Sequence, residues 1–436
     1  MKPLRIGLLG IGTVGGGTFD VLTRNAEEIS RRAGRPIQIT VVGARNAAKA
    51  ATRMGQSNVP VISLQEVVQR DDVDVVVETI GGYDLAKALI LEAINHGKHV
   101  VTANKALLAL HGNEIFAAAH AKGVIVAFEA AVAGGIPIIK ALREGLVANR
   151  IEWIAGIING TTNFILSEMR SKGASFADVL KVAQAKGYAE ADPTFDIEGV
   201  DAGHKISILA AIAFGIPLSF DKAHVEGITQ IEAIDIKYAE EMGYRIKLLG
   251  LARRREAGIE LRVHPTLIPS KRLIANVEGV MNAVLVKGDA VGATLYYGAG
   301  AGANPTASAV IADLVDIGRL IDADVAHRVP YLAFQHDKIG TEPVLAMDDV
   351  ETSYYLRLRV DDKPGVLADI TRVLADNNIS IDAMLQKEPE EGEAQTDIIL
   401  LTHETIEKNV KRAIAAIEAQ PTTRAKVVLL RLENLA

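Results

Sequence analysis

Up to about residue 132 the chain alternates two patterns. Short, near-continuous apolar runs (LRIGLLG, IQITVVGA, VDVVVETI, KHVVTAN and VIVAFEA) are separated by stretches with apolar residues every three or four positions. β-Branched runs that are apolar on both faces read as strands buried in a parallel sheet, and the intervening spacing reads as covering helices. The pattern predicts a doubly wound α/β sheet over residues 1–134.

Residues 135–345 are less regular. Helical spacing over 161–172 and 176–186 leads into a polar loop and then a very apolar helix over 201–214. IELRVHPTLI, NAVLVKG and GATLYYGAG then read as strands of an antiparallel or mixed sheet, giving an α+β domain packed on the first. The segment 342–352, EPVLAMDDVET, lacks periodicity and reads as a linker. Over 353–436 the order of elements predicts a ferredoxin-like βαββαβ module in its own right.

A chain of 436 residues suits roughly three domains. With 49% apolar and 23% charged residues a large core forms without staples. There is no cysteine, which excludes disulfides, thiolate metal sites and a cysteine nucleophile. A net charge of −7 gives no reason to expect nucleic acid. No window reaches the ~18 apolar residues of a membrane span. The glycine-rich apolar N-terminus runs straight into helical spacing, so it reads as strand and loop and a cytoplasmic address is expected.

Gly10-Ile11-Gly12-Thr13-Val14-Gly15 matches G-x-G-x-x-G, follows the first predicted strand and opens a helix. That context favours a Rossmann-type dinucleotide site over a structural glycine turn, because the backbone can approach a pyrophosphate at the helix N-terminus. After the second strand stands Gly43-Ala44-Arg45-Asn46, where an NAD-selective site usually has an acidic residue. An arginine there suits a 2′-phosphate and favours NADP over NAD, with a merely exposed Arg45 as the plainer alternative.

Lys105 follows the strand VVTAN at the sheet's carboxyl edge, with Asn104 placed to cap its helix. A solvated lysine would look the same. Lys205 stands four residues after Asp201 on one helix face, either partly buried or as a surface pair. Glu190, Asp192, Asp196, Glu198 and Asp201 put five carboxylates within twelve residues. Such a cluster is either a solvated loop or a receptor for a cation such as a substrate ammonium.

TANKALLA at 102–109, NGTTNFIL at 159–166, GYAEADPTFDIEGVDAGHK at 187–205 and GAGAGANPT at 298–306 resemble homoserine dehydrogenase. DDKPGVL at 361–367 resembles an ACT domain, a small amino-acid-sensing unit. With no aspartate kinase ahead of the Rossmann domain, the resemblance is to the monofunctional form. It implies NAD(P)-dependent interconversion of L-homoserine and L-aspartate 4-semialdehyde, within threonine, methionine and isoleucine synthesis. By motif, Lys205 and Lys105 would flank the reacting oxygen, and Glu190, Asp201 and Asp196 would hold substrate. Gly187 and Gly302 join Gly10, Gly12, Thr13, Val14, Gly15, Arg45 and Lys105 on the cofactor. A monovalent cation, sodium, would sit on Glu129 and the carbonyls of Val132, Gly134 and Ile136. The resemblance also carries the expectation of a homodimer or homotetramer and of threonine as an effector near residues 361–365.

The missing thiol excludes an acylating semialdehyde dehydrogenase. His204 and His264 lie in no motif of the hydroxy-acid or prephenate dehydrogenases. A non-catalytic dinucleotide-binding sensor or regulator with an amino-acid-binding module is the remaining alternative, although no helix-turn-helix or basic face supports it.

Overall fold

The computed structural model describes residues 2–387 and 392–436. The first domain is a parallel sheet of β1 (Leu4–Leu9), β2 (Ile37–Gly43), β3 (Val61–Ile62), β4 (Val75–Glu78), β5 (His99–Thr102) and β6 (Val126–Ala127), in spatial order β3-β2-β1-β4-β5-β6. This is the expected doubly wound order. The winding reverses between β1 and β4, which opens a crevice at their carboxyl ends. The strands are apolar on both faces because both are covered. On one face, Val67, Leu89, Ile90, Leu107 and Ile115 pack against Leu9, Val76 and Val100. On the other, Val21 and Leu22 of the helix Thr13–Arg24 join Val310, Leu314 and Ile317 of the helix Ala303–Leu320 against Ile6, Leu8, Val75 and Val77.

The helix Ala303–Leu320 therefore covers the first sheet, although its place in the chain groups it with residues 135–345. Glycine permits the approach. A Cβ at Gly17 would stand 2.4 Å from the carbonyl oxygen of Ala303.

The other strands are β7 (Ile151–Ile157), β8 (His224–Val225), β9 (Tyr244–Arg254), β10 (Ile259–Pro269), β11 (Met281–Gly288), β12 (Gly292–Ala299), β13 (Glu351–Asp361), β14 (Ile381–Gln386), β15 (Gln395–Thr402), β16 (Thr405–Ile406) and β17 (Val428–Leu432). They form a mixed sheet along the path β12-β11-β7-β9-β10-β17-β13-β15-β14, with β8 on β10 and β16 on β13. The last four strands of the path have the ferredoxin-like order, covered by Ile370 and Leu374 of one helix and Val410 and Ile417 of another.

The C-terminal module is nevertheless not a separate sheet. β17 pairs in parallel with β10 at Thr266↔Arg431 and Leu267↔Leu432, so an edge that would expose unpaired backbone groups is covered. Nor is 342–352 a loose linker. Ile259 N–H donates to Pro343, Leu345 N–H donates to Ile259, and Met347 and Val350 are buried. Irregular pairing carries no period, which is why the sequence pattern does not mark it.

The predicted helices are present as Gly160–Lys172, Phe176–Ala185 and Val200–Phe214. Every residue from Asp201 to Phe214 is buried, as a helix apolar all round must be. It packs on β7, β9 and β10 and against the helix Lys105–Lys122. Among the described residues no helix is long and apolar enough to cross a membrane.

Candidate active site

The glycine loop lies at the carboxyl end of β1. Gly10 has φ 90°, and a Cβ at Gly15 would stand 2.2 Å from the Gly10 carbonyl oxygen. Only glycine fits there. Gly12 caps the helix that starts at Thr13, and the first turn of that helix has no acidic residue, so its positive end stays available to an anion. Two clefts flank the loop. One, of about 340 Å³, is lined by Gly10, Gly12, Arg45, Lys49, Arg53 and Thr79. The other, of about 310 Å³, is lined by Val14, Glu78, Gly81, Gly82, Asn104 and Lys105. The glycine loop thus lies between a basic cleft and one lined by Lys105.

Lys105 begins its helix, whose Leu107 N–H is accepted by Asn104 Oδ1 at 3.1 Å. The helices Lys105–Lys122 and Val200–Phe214 start at the same end of their contact, and their first turns meet at one carboxylate. Lys105 Nζ lies 2.8 Å from Asp201 Oδ1, and Lys205 Nζ lies 2.7 Å from Asp201 Oδ2. Lys205 Nζ also donates to the Ile158 carbonyl at 2.7 Å, so two of its three donors are used. The lysines differ in access. Lys105 keeps 35% of its side chain exposed, Lys205 10% and Asp201 3%.

Burial pushes the Lys205 ammonium down in pKa, with Asp201 opposing and Lys105 adding to the shift. Burial also acts on Lys105, but Asp201, Asp196 and Glu190 outweigh it and hold its pKa above the ordinary value. Burial would raise the Asp201 carboxyl, yet the two ammoniums hold it well below the carboxylate range. Asp196, desolvated and facing Asp201, is pushed up.

Of the five clustered carboxylates, three face the lysines electrostatically, namely Glu190, Asp196 and Asp201. Asp192 instead accepts the Thr194 hydroxyl at 2.6 Å in a local turn. Gly187 occupies an exposed turn at φ 72° and lines neither cleft beside the glycine loop. Gly302, at φ 127°, precedes the helix packed on Thr13–Arg24.

Glu129 is buried, and its two oxygens accept the N–H groups of Ile139 at 3.0 Å and Lys140 at 2.8 Å. Burial and the neighbouring Asp313 push its carboxyl up to about 7. Ala133 and Gly134 both have positive φ, 56° and 47°. This bends the turn of Val132, Gly134 and Ile136 against the Gly302 loop, where a Cβ at Gly134 would stand 2.4 Å from the Gly300 oxygen.

Sequence reasoning missed the residues that hold the site together. Asn159 Nδ2 donates to Asp196 at 2.7 Å and to Asp201 at 2.9 Å, while its Oδ1 accepts Thr162 N–H at 2.9 Å as a helix cap. The signal was present as Asn159 ahead of a helical run, but capping alone does not reveal a carboxylate clamp. Glu78, at the end of β4, accepts the N–H groups of Ile80 and Gly81 and the Thr102 hydroxyl, and so shapes the crevice. It looked like one more strand residue.

Comparison with known proteins agrees with this geometry. The family model described as homoserine dehydrogenase matches residues 137–315, its NAD-binding domain matches 10–129, and the ACT domain matches 354–422. The chain is 60% identical to homoserine dehydrogenase of Pseudomonas aeruginosa over 436 residues, covering 100% of both. It is 66% identical to a crystal structure of a homoserine dehydrogenase from Thiobacillus denitrificans, with TM-score 0.96 and coverage of 100% and 99% of the two chains. A hyperthermophilic archaeal homoserine dehydrogenase solved in complex with NADPH superposes with TM-score 0.63 at 26% identity, covering 74% of this chain and 100% of that one. A dinucleotide crevice opening onto a lysine-bracketed carboxylate, in a chain this similar to these enzymes throughout its length, belongs to the homoserine dehydrogenase family of NAD(P)-dependent oxidoreductases.

Proposed function

We propose that this enzyme interconverts L-homoserine and L-aspartate 4-semialdehyde, in the supply of threonine, methionine and isoleucine, with Lys205 as the proton donor and acceptor. The observation that carries the reading is the convergence of Lys105 and Lys205 on opposite oxygens of Asp201. Bound nicotinamide dinucleotide supplies or accepts the hydride. The third N–H of Lys205 serves the substrate oxygen, and a lowered pKa makes a buried ammonium a better acid. Lys105, more exposed and held charged, stabilises negative charge at that oxygen. Two lysines against Glu190, Asp196 and Asp201 leave a net charge of −1 (2 − 3). A substrate ammonium balances it.

Arg45, with Lys49 and Arg53 in the same cleft, supports NADP as the preferred dinucleotide. The Glu129 carboxylate has about four lone-pair sites, of which two receive N–H groups. With the carbonyls of Val132, Gly134 and Ile136, the set suits a hard monovalent cation such as sodium. That turn abuts the Gly302 loop, so an ion there would brace the cofactor side of the cleft. The remaining expectations, a cytoplasmic homodimer or homotetramer with threonine acting at the ACT domain, complete the reading. The sensor alternative gains nothing from these observations.

The test is absorbance of the reduced nicotinamide with homoserine as substrate. Growth of signal with NADP or NAD is expected, and a flat trace with both overturns the reading.

A further inference from the structure

A second charged centre lies at the seam between the middle domain and the C-terminal module, and it reaches the substrate loop. Arg431, on β17, is 2% exposed and is shared by two carboxylates. Its Nη1 and Nη2 bind Glu226 at 2.6 and 2.9 Å. Its Nε binds Glu407, in the first turn of the helix Glu407–Glu418, at 2.9 Å. Glu407 also accepts the Tyr354 hydroxyl at 2.9 Å, and Glu226 meets His224 Nε2 at 2.7 Å.

The backbone that carries Glu226 touches the turn between the two site aspartates. Ile228 N–H donates to the Ile197 carbonyl at 2.8 Å. A Cβ at Gly227 would stand 2.2 Å from that same carbonyl oxygen and 2.5 Å from Glu198 Cα. Gly199, at φ 81°, packs its α-carbon under the Glu226 carbonyl, where an added Cβ would stand 3.0 Å away. Asp196 and Asp201 are the flanks of this turn. The peptide 226–228 is thus pressed on residues 197–199 and is held from the other side by Arg431.

We infer that Glu226 is a positioning residue for substrate binding, clamped by Arg431 so that Gly227 fixes the spacing of Asp196 and Asp201. The inference rests on the reading above, in which those aspartates face the substrate. The C-terminal module then contributes directly to substrate affinity, with Arg431 as its point of contact. The dinucleotide crevice meets this route at Lys105, through Asp201, while the glycine loop and the Arg45 cleft lie outside it.

The test uses steady-state kinetics of the full chain with Glu226→Gln, Arg431→Lys and Gly227→Ala. A displacement of the aspartates costs affinity steeply, so KM for homoserine rises by about tenfold or more in Glu226→Gln and Gly227→Ala. KM for the dinucleotide stays within about twofold, a split that general loss of structure would not produce. Arg431→Lys, which keeps charge but not the two-sided fork, falls between. Gly227→Ala keeps both charged side chains, so it reads the peptide contact even if Glu226→Gln folds poorly.

Asp196→Asn is the companion. If it raises KM for homoserine while both Glu226→Gln and Gly227→Ala leave it unchanged, the clamp is refuted and the substrate reading stands. If Asp196→Asn also leaves KM unchanged, the substrate reading fails and takes the clamp with it. Parallel changes in both KM values with falling thermal midpoint overturn positioning in favour of plain destabilisation.

Discussion

The two charged centres of this molecule both pair buried cations with carboxylates, arginine with glutamate at the seam and lysine chiefly with aspartate at the crevice, and they differ in charge balance. At the module seam, Arg253, Arg255, Arg262 and Arg431 meet Glu226, Glu260, Glu407 and Glu433, four positive charges against four negative. Arg262 and Glu260 are each only 1% exposed, and each carboxylate of the set is paired. At the crevice, two lysines face three carboxylates and one lysine remains a third exposed. A balanced network with a dry Arg262–Glu260–Glu433 core fixes geometry, even though its rim, Arg255 and Glu226, is 39% and 40% exposed. An unbalanced one with an open side can accept a ligand. Charge balance, with arginine at the seam and lysine at the crevice, separates scaffold from site here.

The sharpest way to break the comparison is at the crevice. Lys205→Ala should lower turnover by about 10³–10⁴-fold, the upper range for a lost general acid. Binding of the dinucleotide, followed by fluorescence titration, should remain close to normal; near-normal turnover would remove Lys205 from its role.

At the seam the loss is of stability. Arg262→Met leaves Glu260 and Glu433 short of a partner in a dry environment and should cost about 3–5 kcal/mol in urea unfolding. A cost under about 1 kcal/mol would mean that the seam tolerates unpaired charge and is no rigid scaffold.

Each centre also has a buried neutral histidine. His204, between Phe195 and Phe220, is pushed down to about 4 by burial. His264, beside Arg262 and Arg431, is lowered by burial and those guanidiniums. Unfolding lets both take up protons below about pH 6.5. The unfolded state then binds more protons, so stability falls as pH drops from about 6.5 toward 4, by at most about 1.4 kcal/mol per pH unit for each group. Urea midpoints across that range measure it, and His204→Gln should remove its share of the slope. An unchanged slope would show that His204 is not kept neutral.

Arg45→Ala should give the smallest change, weakening NADP by about fivefold while sparing NAD, as loss of one exposed charge contact implies. Equal weakening of both in paired titrations would end the argument for phosphate recognition.

Much of the site was legible because it is local. Gly10 to Gly15 form a turn that needs glycine for backbone reasons, and Asp201 and Lys205 share a helix face by spacing alone. Asn159, Glu78 and Glu226 were not legible, because each acts on residues distant in sequence. Asn159 reaches Asp201 across 42 positions and Arg431 reaches Glu226 across 205. Neither distance leaves a period or spacing to read. The helix Ala303–Leu320 was likewise assigned by its neighbours in the chain, while burial attaches it to the first sheet.

By itself the sequence determined the doubly wound sheet, the glycine turn, the apolar helix behind Lys205 and the family resemblance. Those follow from backbone conformation and from which faces of each element are apolar, properties of contiguous residues. Only the tertiary structure decided that Lys105 and Lys205 share one carboxylate, that 342–352 is paired and anchored by buried Met347 and Val350, and that β17 joins the module to β10. Those depend on which buried charges and strand edges find one another, and chain order does not encode that meeting.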